Sequence, residues 1–359
     1  MTPADYAAVG LNTTTPGATV GYSVSSNYKN PYTVQASFSF DHELARNLSL
    51  EIGYIMYRGI HLQMPLETAY TEIPVGSPLC PSAAFPAFAG CVDQSGGPLY
   101  APATGQLQHV TYSSIGNSIY HGMTTSLTKR YSSGLQFQVN YTWSKTIDDV
   151  IDFSSFQTWF RPSRLNTYRA TSVFDIPHVF VANAVYTTPF KANSGNWFTR
   201  GLADISLAPI VTVRSGLPFS VRTPSLVNKI NGQDIDNNFA IPFGARRDNN
   251  RGAAYATTDM RFTKAVFFNR DRGIRVDFIV EGTNIFNRTN FNQVNDVFDV
   301  NGFTSTVALA NGQTLNLLTG PYTGLHGVKP HSIKDLKTPL SFIQADAARQ
   351  IQFGIKIAF

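Results

Sequence analysis

Charged residues are scarce in this sequence: they make up 14% of its 359 residues, against about 25% in soluble proteins. Long apolar runs are also missing, and none approaches the roughly 18 residues that a transmembrane helix requires. Aromatic residues reach 13%, while the mean hydropathy is only -0.10. Few charges, many aromatics and intermediate hydropathy are typical of a transmembrane β-barrel, whose strands are apolar on one side only.

Motifs that carry enzymatic chemistry are missing as well. The sequence contains no G-x-S-x-G nucleophile motif, P-loop, G-x-G-x-x-G or H-E-x-x-H. The seven histidines are scattered, and the net charge of +5 comes from lysines and arginines that form no basic block. The sequence therefore predicts a protein that is not an enzyme, uses no cofactor and binds no nucleic acid.

Two acidic clusters are candidates for a site. Paired carboxylates suited to acid/base work follow one predicted strand: Asp148, Asp149 and Asp152. Their segment is polar, so we expect a solvated loop cluster. The beginning of a Ca²⁺ loop occurs at Asp234, Asp236 and Asn238, but the glycine and the distal glutamate of an EF-hand are missing. We therefore predict no metal site.

The arginine cluster and the cysteines lie in other predicted loops. For Arg246, Arg247 and Arg251 we expect an unspecific cluster of loop charge, the alternative being attraction of an anionic ligand at the outer mouth. Cys80 and Cys91 are the only cysteines, with no CxxC and no local histidine. An isolated pair in one loop predicts a disulfide in an oxidising compartment, and two free thiols are the alternative.

Alternation of apolar and polar residues predicts about nine strands. They span approximately residues 32–41, 48–56, 119–129, 135–144, 179–187, 205–213, 257–268, 274–281 and 349–359. In the fifth strand both faces are apolar, so its facing is ambiguous. In the sixth strand Pro209 weakens the prediction, because a central strand needs every N–H.

The predicted connections alternate between short and long, except that the one between the fifth and sixth strands is of medium length. The long ones cover about 58–117, 145–177, 215–256 and 287–347. This pattern predicts an all-β, antiparallel, up-and-down transmembrane β-barrel with periplasmic turns and long outer loops, here a partial barrel. If the C-terminus is periplasmic, residues 1–31 are the remnant of an extracellular loop, and residues 32–359 form the barrel portion.

The terminal strand, R-Q-I-Q-F-G-I-K-I-A-F, has one apolar and one polar face. Its length of about ten residues is enough to cross a bilayer. The spacing of Gln352, Gly354, Ile357 and Phe359 resembles the C-terminal assembly signal of bacterial outer-membrane β-barrels.

Polar residues on the predicted barrel strands are expected to line the lumen, to hydrate the pore and to contact a plug. This lumen-lining set is Gln35, Gln136, Gln138, Asn140, Arg275, Asp277, Glu281 and Lys356.

Several stretches, taken in order, resemble the barrel of TonB-dependent, Oar-like outer-membrane receptors. They are N-Y-T-W-S-K-T-I-D-D at 140–149, F-D-I-P-H-V-F-V at 174–181, V-R-S-G-L-P-F-S-V at 213–221, E-G-T-N-I-F-N-R-T-N-F at 281–291, the N-terminal hairpin and the terminal strand. The resemblance implies a 22-stranded barrel with an N-terminal plug, often preceded by a carboxypeptidase-regulatory-like domain. The chain shows neither a plug nor a signal peptide, so we expect it to be the C-terminal part of such a receptor.

This resemblance implies transport across the outer membrane of a Gram-negative bacterium. The expected partners are outer-membrane lipid, the barrel-assembly machinery, the TonB complex through the missing plug, and a small-molecule or oligomeric nutrient that the sequence does not identify. Two alternatives remain: a surface-exposed binding or adhesion protein that uses its long loops, and a soluble secreted β-sandwich.

Overall fold

A computed structural model describes residues 20–68, 70–72, 100–102, 108–150, 169–190, 192, 196–220, 229–230, 233–234, 247–248, 250–296, 306–308, 314–316 and 342–359. Within them, no helix is long and apolar enough to cross a membrane.

Nine antiparallel strands, paired in chain order, form one sheet. They are β1 Tyr32–Ala45, β2 Leu48–Glu67, β3 Gln108–Ser132, β4 Leu135–Asp148, β5 His178–Thr187, β6 Ile205–Arg214, β7 Tyr255–Asn269, β8 Ile274–Thr283 and β9 Gln350–Ala358. The prediction of about nine strands in an all-β, up-and-down arrangement is confirmed. Three tight turns and one connection of medium length lie at one edge of the sheet, here called the inner edge, and the four long connections lie at the opposite, outer edge.

Several smaller elements accompany this sheet. Val20–Val24 pairs with β3 in parallel, and Ala170–Thr171 pairs with β4. Short two-stranded pairs join Tyr70–Glu72 to Tyr100–Pro102, Pro218–Phe219 to Asn250–Arg251, Lys229–Ile230 to Gln233–Asp234, Phe291–Val294 to Phe342–Ala345, and Thr306–Ala308 to Thr314–Asn316. A helix of six residues, Trp197–Leu202, lies in the inner connection between β5 and β6.

The cross-strand register decides which residues share a face, because directly paired residues point to the same side of a sheet. Val139 of β4 pairs with Ala182 of β5, while Gln138 pairs with Asn183. The ambiguous strand β5 therefore places Phe180, Ala182, Ala184 and Tyr186 on the apolar face. Its valines at 179, 181 and 185 lie on the polar face. Chemical alternation left this choice open, and hydrogen-bond pairing with β4 resolves it.

Pro209 sits inside β6 without breaking the strand. It pairs with Met260 of β7, but the ladder with β5 runs from Leu207–Tyr186 to Ile210–Asn183 without including Pro209. The missing N–H is thus accommodated by a local gap in the hydrogen bonding on the β5 side.

Strands β2 and β3 are much longer than predicted, at 20 and 25 residues. About 9–11 residues suffice to cross a bilayer, so both strands project well beyond the outer edge. The prediction that residues 58–117 form a loop is therefore wrong for 58–67 and 108–117. Parts of 1–31 are not loop either, since Val20–Val24 extends the projection as a third strand.

This outer projection contains apolar packing of the kind found in soluble domains. Met64 and Val150 are buried, and Leu62 and Leu66 pack against them. On most of the sheet, in contrast, large apolar side chains are exposed, among them Phe38, Phe353 and Ile355. A sheet exposed in this way requires an apolar solvent or further protein to cover it.

The sheet is open. Within the described residues, β1 and β9 each have only one strand neighbour. Both strands run from the outer edge to the inner edge, because eight antiparallel steps separate them. They therefore cannot pair with each other in an antiparallel barrel.

Candidate functional site

The predicted lumen-lining residues share one face of the sheet. Gln35 pairs with Tyr57, and Gln138 pairs with Thr128. Continuing along the same face, Arg275, Asp277 and Glu281 pair with Ala358, Lys356 and Gln352. Gln136 and Asn140 lie on this face of β4 by alternation. The register brings all eight residues to one side, and their role in lining a lumen stays a prediction.

Charges on this polar face are partly paired among themselves. Glu281 forms an ion pair with Arg261 and accepts a hydrogen bond from Gln352. Arg275 Nε lies 3.1 Å from Asp277 Oδ1, although Asp277 is only 5% exposed and this oxygen accepts no hydrogen bond. Ionisable groups on a membrane-spanning strand are costly unless they face partners or water, so this face is suited to a polar interior.

The terminal strand has the facing that the sequence predicts. Gln352 and Gly354 pair with Glu281 and Ile279 on the polar face, whereas Ile357 pairs with Val276 on the apolar face. Phe359 is fully exposed at the inner edge. Recognition of these residues by an assembly machinery stays a prediction.

A hub at the outer edge is built around Asp175, whose side chain is completely buried. Arg251 Nη2 lies 2.7 Å from Asp175 Oδ2, and Lys145 Nζ lies 3.2 Å from the same oxygen. Asp175 Oδ1 accepts a hydrogen bond of 2.6 Å from the Thr146 backbone N–H. Arg251 also donates to the backbone oxygens of Asp175 and Gly216. The hub thereby joins β4 to the segments that precede β5, follow β6 and precede β7.

A second buried group centres on Arg247. Its guanidinium forms an ion pair with Asp148, the last residue of β4, and lies 3.4 Å from Asp248 Oδ2. Ser220 Oγ donates to Asp248 Oδ1 over 2.8 Å, and in return accepts from the Asp248 backbone N–H. Burial raises the pKa of the Asp248 carboxyl, while Arg247 and the serine hydrogen bond act in the opposite direction. We call this group and the Asp175 hub together the outer ion-pair cluster.

This cluster corrects two expectations. Asp148 is not solvated but 5% exposed and paired, and Asp149 receives hydrogen bonds from Arg169 and from the Asn117 backbone. Arg247 and Arg251 pair with Asp148 and Asp175, so they are neither unspecific loop charge nor a cationic patch awaiting an anion. Asp152, Arg246, Asp236 and Asn238 lie outside the described residues. Of the possible Ca²⁺ loop the structure describes only Asp234, which pairs with Lys229 in a two-residue ladder.

Asparagine side chains brace another part of the outer edge, in the stretch T-N-I-F-N-R-T-N-F. Asn290 exchanges two hydrogen bonds of 2.9 Å with the backbone of Ala256 and so replaces a strand partner for β7. Asn284 holds the Arg288 backbone in the same way. Asn284 and Asn287 have φ values of 49° and 52°, a left-handed conformation that asparagine tolerates better than most residues. The motif thus holds the segment that follows β8 against the start of β7.

Sequence reasoning missed Asp175 as an organising residue. The only available signal was its position within F-D-I-P-H-V-F-V, since its partner Arg251 lies 76 positions away. Cys80 and Cys91 lie outside the described residues, and their disulfide stays a prediction. It is checked by thiol labelling of denatured, unreduced protein, in which quantitative labelling of both cysteines would exclude the bond. Across the part of the chain that the structure describes, no three His, Cys, Asp or Glu side chains gather to hold a metal ion.

A family model described as outer membrane beta barrel domain matches residues 2–314. The chain belongs to this family. It is therefore an outer-membrane β-barrel protein of a Gram-negative bacterium, in agreement with the antiparallel sheet and its apolar face. A soluble secreted sandwich is excluded by the same finding.

Three solved structures, two of transporters and one of a receptor, are similar to part of this chain. The outer membrane transporter YddB from Escherichia coli has 9% identity and a TM-score of 0.43, covering 79% of this chain and 32% of the transporter. The FrpB iron transporter from Neisseria meningitidis has 10% identity and a TM-score of 0.39, with 75% and 29% covered. A mutant of the ferric enterobactin receptor PfeA from Pseudomonas aeruginosa has 11% identity and a TM-score of 0.36, with 73% and 26% covered.

The chain thus spans about a third of the length of the first solved structure that it matches. No curated protein matches the chain.

Proposed function

We propose that this chain is the C-terminal part of the barrel of a TonB-dependent, Oar-like receptor that imports a nutrient across the outer membrane. The observation that carries the proposal is the shared direction of β1 and β9. Because the two free edges run the same way, an odd number of further strands is needed to complete an antiparallel barrel. Residues 32–359 are then its C-terminal portion.

The N-terminal part of the sheet supports this arrangement. Val20–Val24 pairs with the outer half of β3, and β1 then enters the sheet from the outer edge. This is the path expected if residues 1–31 are the end of an extracellular loop that leads in from an earlier strand. In such a receptor the polar face lines the lumen and contacts a plug, and the plug transmits energy from the TonB complex. Lipid covers the apolar face, and the barrel-assembly machinery inserts the chain through its terminal strand. The role is binding and transport, without catalysis.

A first experiment tests whether the chain closes by itself. Unpaired backbone groups at two strand edges each cost several kcal/mol in lipid, so we expect the isolated chain to aggregate or to associate into larger assemblies when refolded in detergent. A monodisperse monomer with steady single-channel conductance would contradict the proposal.

A second candidate function, surface binding or adhesion, is favoured by one observation. The outer projection of β2, β3 and Val20–Val24 carries its own apolar packing around Met64, which suits a rigid platform outside the membrane. Removing TonB from the cell separates the two functions. Uptake by a receptor stops when its energy source is lost, whereas adhesion by the outer projection continues.

A further inference from the structure

The inner connection between β5 and β6 differs from the other three inner connections. Residues 46–47, 133–134 and 270–273 make tight turns, whereas residues 188–204 include the helix Trp197–Leu202. Asn196 caps this helix by accepting a hydrogen bond of 2.9 Å from the Phe198 backbone N–H. No residue of the helix is buried, so packing against the protein does not account for its aromatic residues.

Aromatic side chains of this region are strongly exposed. Trp197 is 82% and Phe198 is 57% exposed, and their rings meet edge to face. Phe268, at the inner end of β7, is 73% exposed. Large apolar side chains exposed together at one edge of a sheet indicate a surface that another phase or molecule covers.

Lys264 of β7 holds the helix on the apolar side of the sheet. In the register, Lys264 pairs with Ile205 and Phe278, so its backbone position belongs to the apolar face. Its ammonium group donates to the backbone oxygens of Gly201, at 2.9 Å, and Ala203. A cation at a helix C-terminus is favourable, and a lysine on an apolar face is tolerated where its charge reaches the membrane boundary.

Further contacts make the helix rigid relative to β6 and β7. Arg270 forms an ion pair with the Asp204 carboxylate. The Ala265 backbone N–H donates to the Asp204 backbone oxygen over 3.0 Å. Thr188 Oγ1 donates to the Leu202 oxygen over 2.6 Å. The helix is thus held at a constant height at the inner edge of the sheet.

The helix, the residues that hold it and the adjoining turn between β7 and β8 carry more cations than carboxylates. The cations are Arg200, Lys264, Arg270 and Arg272, and the carboxylates are Asp204 and Asp271. Tryptophan and phenylalanine beside arginine and lysine match the boundary between acyl chains and phosphate-bearing headgroups. Two properties, continuity with the apolar face and an excess of cations, therefore favour phospholipid over a protein partner.

We infer that the helix Trp197–Leu202 is an interfacial anchor. It inserts Trp197 and Phe198 into the headgroup boundary of the periplasmic leaflet, where the excess of cations attracts the lipid phosphates. The anchor sets the depth of β5–β7 in the membrane at the one inner connection that is not a tight turn.

The test measures the depth of Trp197 in lipid. The full-length receptor to which this chain is proposed to belong, and its Trp197→Leu variant, are reconstituted into vesicles of phosphatidylethanolamine and phosphatidylglycerol. The vesicles contain lipids brominated at different depths. The difference between the two emission spectra isolates Trp197. We expect bromines near the top of the acyl chain, about 5–10 Å below the phosphates, to quench this difference signal more than bromines near the chain end.

Trp143 provides the control. It lies on the apolar face of β4 and is 56% exposed, so the Trp143→Leu difference signal should also be quenched by brominated lipid. Quenching of the Trp143 signal without quenching of the Trp197 signal would overturn the anchor. The anchor would also be overturned if Trp197 remained accessible to aqueous iodide in vesicles and became protected only after addition of soluble periplasmic proteins. That result would assign the helix to a protein partner.

Discussion

The Asp175 hub offers a quantitative test of how the outer edge is held together. Asp175→Ala removes the carboxylate that faces Arg251, Lys145 and the Thr146 N–H. Removing one member of a buried ion pair costs about 3–5 kcal/mol. The side chains of Arg251 and Lys145 are 32% and 48% exposed, so water compensates part of their loss. We therefore expect the lower end of the range, about 3 kcal/mol.

The free energy lost in Asp175→Ala should appear as more frequent local opening of the outer edge, because all partners of Asp175 lie there. The assay is the cleavage rate of the protein by an external protease on intact cells. When opening is fast relative to cleavage, the rate follows the population of the open form. A loss of about 3 kcal/mol then accelerates cleavage in the outer connections, residues 149–177 and 215–254, roughly 150-fold.

Arg169→Gln is the matched control at the same edge. Arg169 also pairs with an aspartate, Asp149, but its side chain is 49% exposed. An exposed ion pair contributes about 0–1 kcal/mol, so cleavage should accelerate by no more than about fivefold. Equal cleavage rates for Asp175→Ala and Arg169→Gln would refute the view that the buried hub holds the outer edge.

Three further predictions concern facing, assembly and pH. Val139→Arg on the apolar face should destabilise the full-length protein by about 2–4 kcal/mol, and Gln138→Arg on the polar face much less; equal assembly yields would mean that the facing is wrong. Deleting Phe359 should sharply lower the amount of full-length protein in outer-membrane fractions, since the terminal strand acts during targeting. Unchanged abundance at matched expression would show that Phe359 is not part of the assembly signal. Because burial raises the pKa of Asp248, the folded state holds this proton to higher pH than the unfolded state. Its contribution to stability is therefore complete at acid pH and is lost as the pH rises through the raised pKa. Asp248→Asn should remove this pH dependence from the protease assay, and parallel pH profiles would contradict it.

Local chemistry was sufficient to predict the presence of the nine strands and most of their facing, although not the full length of β2 and β3. Over residues 135–143 of β4, and throughout β9, one face carries only aliphatic and aromatic side chains, as Phe137 and Val139 or Phe353 and Ile355 illustrate, and only one register suits a membrane. Short turns such as 133–134 were predictable for a similar reason, since Gly134 has a φ of 79° that favours glycine.

Where both faces of a strand are apolar, alternation carries no information. The facing of β5 was decided by its pairing with β4, and the acceptance of Pro209 depended on a gap in one ladder that only the neighbouring strand reveals.

The family, the low charge and the two-faced strands were thus determined by the sequence itself, because each depends on residues that are close together in the chain. The outer ion-pair cluster was decided by tertiary structure. Asp175 and Arg251 are 76 positions apart, and Asp148 and Arg247 are 99 apart. Before folding, these aspartates and arginines are indistinguishable from ordinary solvated loop charges. Only the successive pairing of β4, β5, β6 and β7 brings the outer ends of these strands to one edge. Burial there makes each charge dependent on its partner.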